Sequence, residues 1–233
     1  MTSPRWHAPY RLFRPALQYV LAALLSGATI PAAGAAPTQI LVFGDSLSAG
    51  FGIGASEAFP AQLEKRLRAD GFDVRAINAG VSGDTTANGL ARLDYTLDSG
   101  KFDVVIIELG ANDMLRGIDP RIARDNLEKM MTTFQSKGVA VMLATMASSD
   151  NWGQAYKKAF DSIYPELAAK HGAALIPFMM APVWGDPKLL IGDGLHPNPA
   201  GVTKMVEIAA PSIERLLGAQ GPGKSAAGAA QAR

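Results

Sequence analysis

The chain has 233 residues, 48% of them hydrophobic, enough to bury one sizeable core, so a single domain is expected. Its formal charge of +1 is misleading: the first 35 residues hold Arg5, Arg11 and Arg14 and no acid, and removing those three from the 22 basic residues leaves 19 against 21 acidic ones, a net of −2. No basic stripe remains for nucleic acid or an anionic membrane surface, and the absence of cysteine excludes disulfides, thiolate metal sites, thiol catalysis and a lipidated N-terminal cysteine.

The chain opens like a secretory leader. Its arginines precede an apolar stretch from Ala16 to Ile30, and Ala33-Gly34-Ala35 fits the small-x-small cleavage rule. Residues 1–35 are therefore expected to be a signal peptide cleaved before Ala36, with a periplasmic or secreted product. The arginines and missing acids would also suit a transit peptide, but the compact apolar block argues against one. The block is shorter than the about 20 residues that span a bilayer, so no stable membrane anchor is expected.

Beyond the leader, apolar runs alternate with amphipathic ones. Ile40–Phe43, Val74–Ile77, Val104–Ile107, Val139–Leu143 and Ala174–Ile176 read as short buried strands. Between them, Leu90, Leu93 and Leu97 share one helical face, and Leu127, Met130, Met131 and Phe134 share another. Tyr156, Phe160, Ile163 and Leu167 make a third, and Val202, Met205, Ala209, Ile213 and Leu216 a fourth. Asp119-Pro120 and Asn198-Pro199 each place a capping side chain before a proline at the first helical position. Such alternation predicts an α/β fold: a three-layer α/β/α sandwich around a parallel sheet covered on both faces. The domain is expected over 36–217. The small, polar residues 218–233 are expected to form a disordered tail.

The chemistry sits just after the strands. Ser46, in Gly44-Asp45-Ser46-Leu47, follows the first and could attack a carbonyl if a base took its proton. Taken alone it is equally a turn or cap serine, and its flanks are not the Gly-x-Ser-x-Gly elbow. Gly83 follows the second strand and opens a helix, where a backbone N–H could meet negative charge; a plain turn glycine is the other reading. Asn112, after the third strand, offers an amide to a developing oxyanion or a cap to a helix, with Asp113 beside it bracing the loop. Of the three histidines, His7 lies in the leader and His171 ends an amphipathic helix. His196 stands in a loop three residues after Asp193, close enough for the carboxylate to hold Nδ1–H and leave Nε2 free as a base. A flavodoxin-like strand order, 2-1-3-4-5, would make the ends carrying Ser46, Gly83 and Asn112 neighbours. The stretch from Phe178 to Gly192 could return Asp193 and His196 over Ser46. Met114, Leu115, Met146, Met179, Met180, Trp152 and Trp184 are candidate pocket walls, though each is also an ordinary packing residue.

These blocks resemble the GDSL or SGNH hydrolases, and within them the bacterial periplasmic branch of thioesterases, lysophospholipases and arylesterases. The resemblance runs from about Gln39 to Leu217 and rests on Gly44–Gly50, Ser82–Thr86, Glu108–Gly117 and Asp193–Asn198. It implies Ser46 as nucleophile, His196 as base and Asp193 as its orienter. The oxyanion would be held by the backbone N–H groups of Ser46 and Gly83 and by the Asn112 amide. Ala111 replaces the branch's usual glycine, and Met146–Gly153 lacks its Ala-Pro-Pro-like sequence, which bears on substrate preference. The expected reaction is hydrolysis of small aryl or acyl esters and thioesters by a monomer, without metal or cofactor. A carbohydrate O-acetylesterase and a non-catalytic binding protein are the rival readings.

Overall fold

A computed structural model describes residues 36–220. Five parallel strands form one sheet: β1 (Thr38–Gly44), β2 (Val74–Asn78), β3 (Val104–Glu108), β4 (Ala140–Ala144) and β5 (Ala174–Ile176), in the order β2-β1-β3-β4-β5. Each expected strand is present, with ends shifted by at most two residues. The helices are α1 (Ser46–Ala49), α2 (Phe59–Ala69), α3 (Thr86–Ala91), α4 (Leu93–Asp98), α5 (Ala111–Leu115), α6 (Pro120–Ser136), α7 (Gln154–Asp161), α8 (Ile163–His171) and α9 (Pro199–Gln220).

The alternation of side chains along β1 and β3 divides the core in two. Ile40, Val42, Val104 and Ile106 face α2 and α9, where Phe59, Leu63, Val202 and Met205 are buried against them. Leu41, Phe43, Val105 and Ile107 face the other way, onto Leu127, Met130 and Phe134 of α6 and Ile163 of α8. Both faces of the central strands are thus apolar, which produces the uninterrupted hydrophobic runs. The edge strand β2 departs from this: only Val74 is buried there, because one of its sides lacks a neighbour.

The two proline caps form as expected. Asp119 Oδ1 accepts from the Arg121 N–H at 2.9 Å, and Asn198 Oδ1 accepts from Ala200 and Gly201 at 3.0 Å each. The third amphipathic face is split between α7 and α8 at Ser162. Pro165 has no N–H to give the Asp161 carbonyl, so a continuous helix would lose that bond, whereas in the first turn of a new helix the proline costs nothing. The first face is likewise divided, at Arg92, between α3 and α4. At the other end, α9 continues through Gly218-Ala219-Gln220, three residues into the expected tail. The expected leader, and the tail after residue 220, lie outside the described residues.

Candidate active site

The sheet order brings the carboxyl ends of β1 and β3 side by side, and both lead directly into short helices. Asp45 caps α1 through Oδ1, which accepts from the Leu47 N–H at 3.0 Å, and so places Ser46 at the first helical position. Gly44 is obligatory here: a Cβ would run into the Ser48 hydroxyl and the Glu108 carboxylate.

From 150 residues away, His196 Nε2 comes within 2.8 Å of Ser46 Oγ. Its Nδ1 lies 2.6 Å from Asp193 Oδ2. The other oxygen, Oδ1, accepts from the backbone N–H groups of Leu195 (2.9 Å) and His196 (3.0 Å). Those donors, with the His196 ring, pull the Asp193 carboxyl down to about 2, the backbone N–H of His196 first, so the group is ionised near neutral pH. The loop is anchored beside it: Leu190 pairs with Pro197, and the Asn198 amide donates to the Lys188 carbonyl at 2.8 Å.

Gly83 lies opposite, but not where a helix opens. It sits in a turn with φ +87, three residues before α3, whose cap is Thr85. Arg116 Nη2 donates to its carbonyl at 2.9 Å and fixes the peptide plane. Asn112 is the second residue of α5. Its Nδ2 lies 3.1 Å from Asp45 Oδ2 and 3.0 Å from the Asp84 carbonyl. Two N–H bonds thus meet two protein acceptors, so an oxyanion bound there would have to take one over. A full negative charge outcompetes the neutral Asp84 carbonyl more readily than it does the Asp45 carboxylate. Asp113 braces the loop, accepting from the Thr86 N–H at 2.8 Å and the Thr86 hydroxyl at 2.6 Å.

Behind the serine lies a pair of carboxyls that the sequence does not single out. Glu108 is fully buried; its Oε2 accepts from Ser48 Oγ at 2.5 Å and from the Asp45 N–H at 3.3 Å, and its Oε1 has no partner. Burial first, and then the charge of Asp45, push the Glu108 carboxyl well above the ordinary range. Burial also raises Asp45, to about 6, against the hydrogen bonds from Leu47 and Asn112.

A cleft of about 330 Å³ opens over Ser46, Asn112 and His196. Ala111, Met114, Leu115, Met146 and Trp184 line it. Two expected wall residues do not. Met179 points into the core on the α2–α9 side of the sheet, whereas its neighbour Met180, buried in that same core, also reaches the cleft as expected. Trp152 stands behind the wall, its Nε1 donating to the Met114 carbonyl at 2.7 Å. Sequence reasoning missed Phe51, Leu47, Phe178 and Leu195. Phe51 lies against the His196 imidazole, ring centroids 4.6 Å apart, while half of its surface stays exposed. A large apolar residue between Gly50 and Gly52, in a loop with no core to fill, was the available signal. Among the described residues, no cluster of three or more His, Asp or Glu side chains could hold a metal ion.

The family model for the GDSL-like Lipase/Acylhydrolase family matches residues 42–204. An arylesterase of Vibrio mimicus is 40% identical over 188 residues, covering 81% of this chain and 94% of the relative. The thioesterase 1/protease 1/lysophospholipase L1 of Escherichia coli K12 is 36% identical over 194 residues, 83% of this chain and 85% of its own. The crystal structure of the psychrotrophic esterase EstA from Pseudoalteromonas superposes with a TM-score of 0.74 at 32% identity, covering 78% of this chain and 99% of that one. Strand order, site and relatives agree, and the chain belongs to the GDSL-like lipase/acylhydrolase family.

Proposed function

We propose that this protein hydrolyses carboxylic esters and thioesters of apolar acyl or aryl groups through an acyl-enzyme on Ser46. The observation that carries this reading is the unbroken relay from Ser46 Oγ through the His196 ring to Asp193 Oδ2, at 2.8 and 2.6 Å. Asp193 holds the Nδ1–H tautomer, so Nε2 accepts the serine proton as Oγ attacks the carbonyl. The N–H groups of Ser46 and Gly83 and the Asn112 amide receive the oxyanion. His196 then returns the proton to the leaving alkoxide or thiolate, and water repeats the sequence to release the acid. An apolar wall of Met114, Leu115, Met146 and Phe178 suits an acyl chain or an aryl ring better than a sugar, which needs polar partners.

In this reading the residues before Ala36 are a cleaved export signal, the catalytic domain begins at Ala36, and the protein acts outside the cytoplasm as a monomer. The test is turnover of p-nitrophenyl esters from acetyl to palmitoyl, with Ser46→Ala as control. Serine-dependent activity with an optimum at medium or long chains is expected. An optimum at acetyl would favour an acetylesterase instead, and activity that survives in Ser46→Ala would remove the nucleophile.

A further inference from the structure

Four aromatic rings, spaced four residues apart, run from the surface into the core beside the site: Trp152, Tyr156, Phe160 and Tyr164. Their centroids are 6.2, 6.0 and 5.8 Å apart in succession. Trp152 is half exposed, and Tyr164 is fully buried. Aromatic pairs at this spacing ordinarily do no more than pack a helix. Here the polar atoms of the column all land on one short stretch of chain. Tyr164 donates its hydroxyl to the Leu109 carbonyl at 3.1 Å, Trp152 its Nε1 to Met114 at 2.7 Å, and Tyr156 its hydroxyl to Ile118 at 2.9 Å. The stretch 109–118 contains α5, and with it Asn112 and the cleft residues Ala111, Met114 and Leu115.

Both ends of α5 are shaped to these rings. Gly110, at φ +122, is packed so closely under the Tyr164 hydroxyl that a Cβ would collide with it. Gly117, at φ +63, holds the Trp152 ring 2.8 Å from where a Cβ would stand. A five-residue helix has almost no stability of its own and keeps its place through what packs against it. The column braces it from outside, with one bond onto Met114 within the helix and one on each flank, at Leu109 and Ile118, and the close packing at Gly110 and Gly117 opposes sliding.

We infer that this column is a positioning device for the oxyanion amide, in which Tyr164 and Trp152 are positioning residues that act on Asn112 through the backbone of 109–118. The inference rests on the reading of Asn112 as an oxyanion donor. Tyr164→Phe and Trp152→Phe each keep a ring and remove one donor. The experiment measures kcat and KM on a p-nitrophenyl ester for both variants, in the native background and in Asn112→Ala. Tyr164→Phe is expected to lower kcat about tenfold with little change in KM, the scale of a small misplacement of a reacting group. Trp152→Phe should show a smaller loss of the same kind, and being near the surface it guards against a folding failure at Tyr164. In Asn112→Ala both losses should vanish, because there is no longer an amide to misplace. An equal fold-loss in both backgrounds, or full kcat in both phenylalanine variants, overturns the inference. If Asn112→Ala itself keeps full kcat, it is the oxyanion reading that fails.

Discussion

Replacing Asp193 by Asn tests the relay at its least obvious member. The carboxylate has two distinct tasks: Oδ1 accepts from two backbone N–H groups and Oδ2 accepts from the His196 ring. An asparagine has one acceptor oxygen. If that oxygen stays on the two N–H groups, the NH2 faces Nδ1 and donates to it, which moves the ring proton to Nε2. That nitrogen then presents a proton to Ser46 instead of accepting one. The geometry is preserved and the chemistry is reversed, so kcat should fall by about 10³–10⁴, the scale expected when a base is held in its wrong tautomer. KM should change less than about threefold, because Asp193 does not line the cleft. Steady-state kinetics on a medium-chain p-nitrophenyl ester between pH 7 and 8 read both numbers. A kcat within about tenfold of the native enzyme would mean that Asp193 does not set the tautomer, and the relay would have to be abandoned.

Glu108→Gln addresses the buried pair. The raised Glu108 carboxyl means that the native state holds a proton which the unfolded chain gives up, so its contribution to stability is full at low pH and is lost as pH rises through the folded value. Gln resembles the neutral acid, so the variant should match the native protein near pH 4 and exceed it near pH 8, read as urea midpoints; an equal shift at both pH values would refute this. Asp45→Asn turns into an NH2 one of the two oxygens that accept from Leu47 and from Asn112, and should cost about ten- to a hundredfold in kcat, somewhat less than losing an oxyanion donor outright. If its kcat is unchanged, Asp45 does not orient the amide. Phe51→Ala bares one face of the His196 ring and one wall of the cleft, and should raise KM for long-chain esters more than for acetyl esters; a uniform change along the series would place Phe51 outside the acyl path.

The legible part of the site is the part that lies at strand ends. Ser46, Gly83 and Asn112 each come just after an apolar run, and period and topology together say that such positions meet at one edge of a parallel sheet. The histidine is found by elimination, since His196 alone has no structural task. The walls of the cleft are harder to read because the chain after β5 has no regular period. Met179 and Met180 are neighbours of the same type and both are buried in the same core, yet only Met180 also reaches the cleft. Trp152 is deceptive for a related reason: its partner Met114 lies 38 residues away, and no spacing rule links the two. Glu108 reads as the end of a strand, and its burial depends on Ser48 and Asp45, which reach it from the far end of β1.

The direction of the strands has a practical consequence. The cleft opens at their carboxyl ends, whereas β1 begins at Thr38 on the opposite edge of the sheet. α9 leaves the cleft side directly after His196 and its 22 residues carry the chain about 33 Å away along α2. Both ends of the described chain therefore emerge on the side remote from the substrate. A fusion partner, a surface tether or a bead attached at either end should leave the mouth facing outward, so the enzyme is built to be immobilised without blocking itself. Trimming is another matter, since β1 is an interior strand and loss of residues after Ala36 would remove its pairing with both β2 and β3.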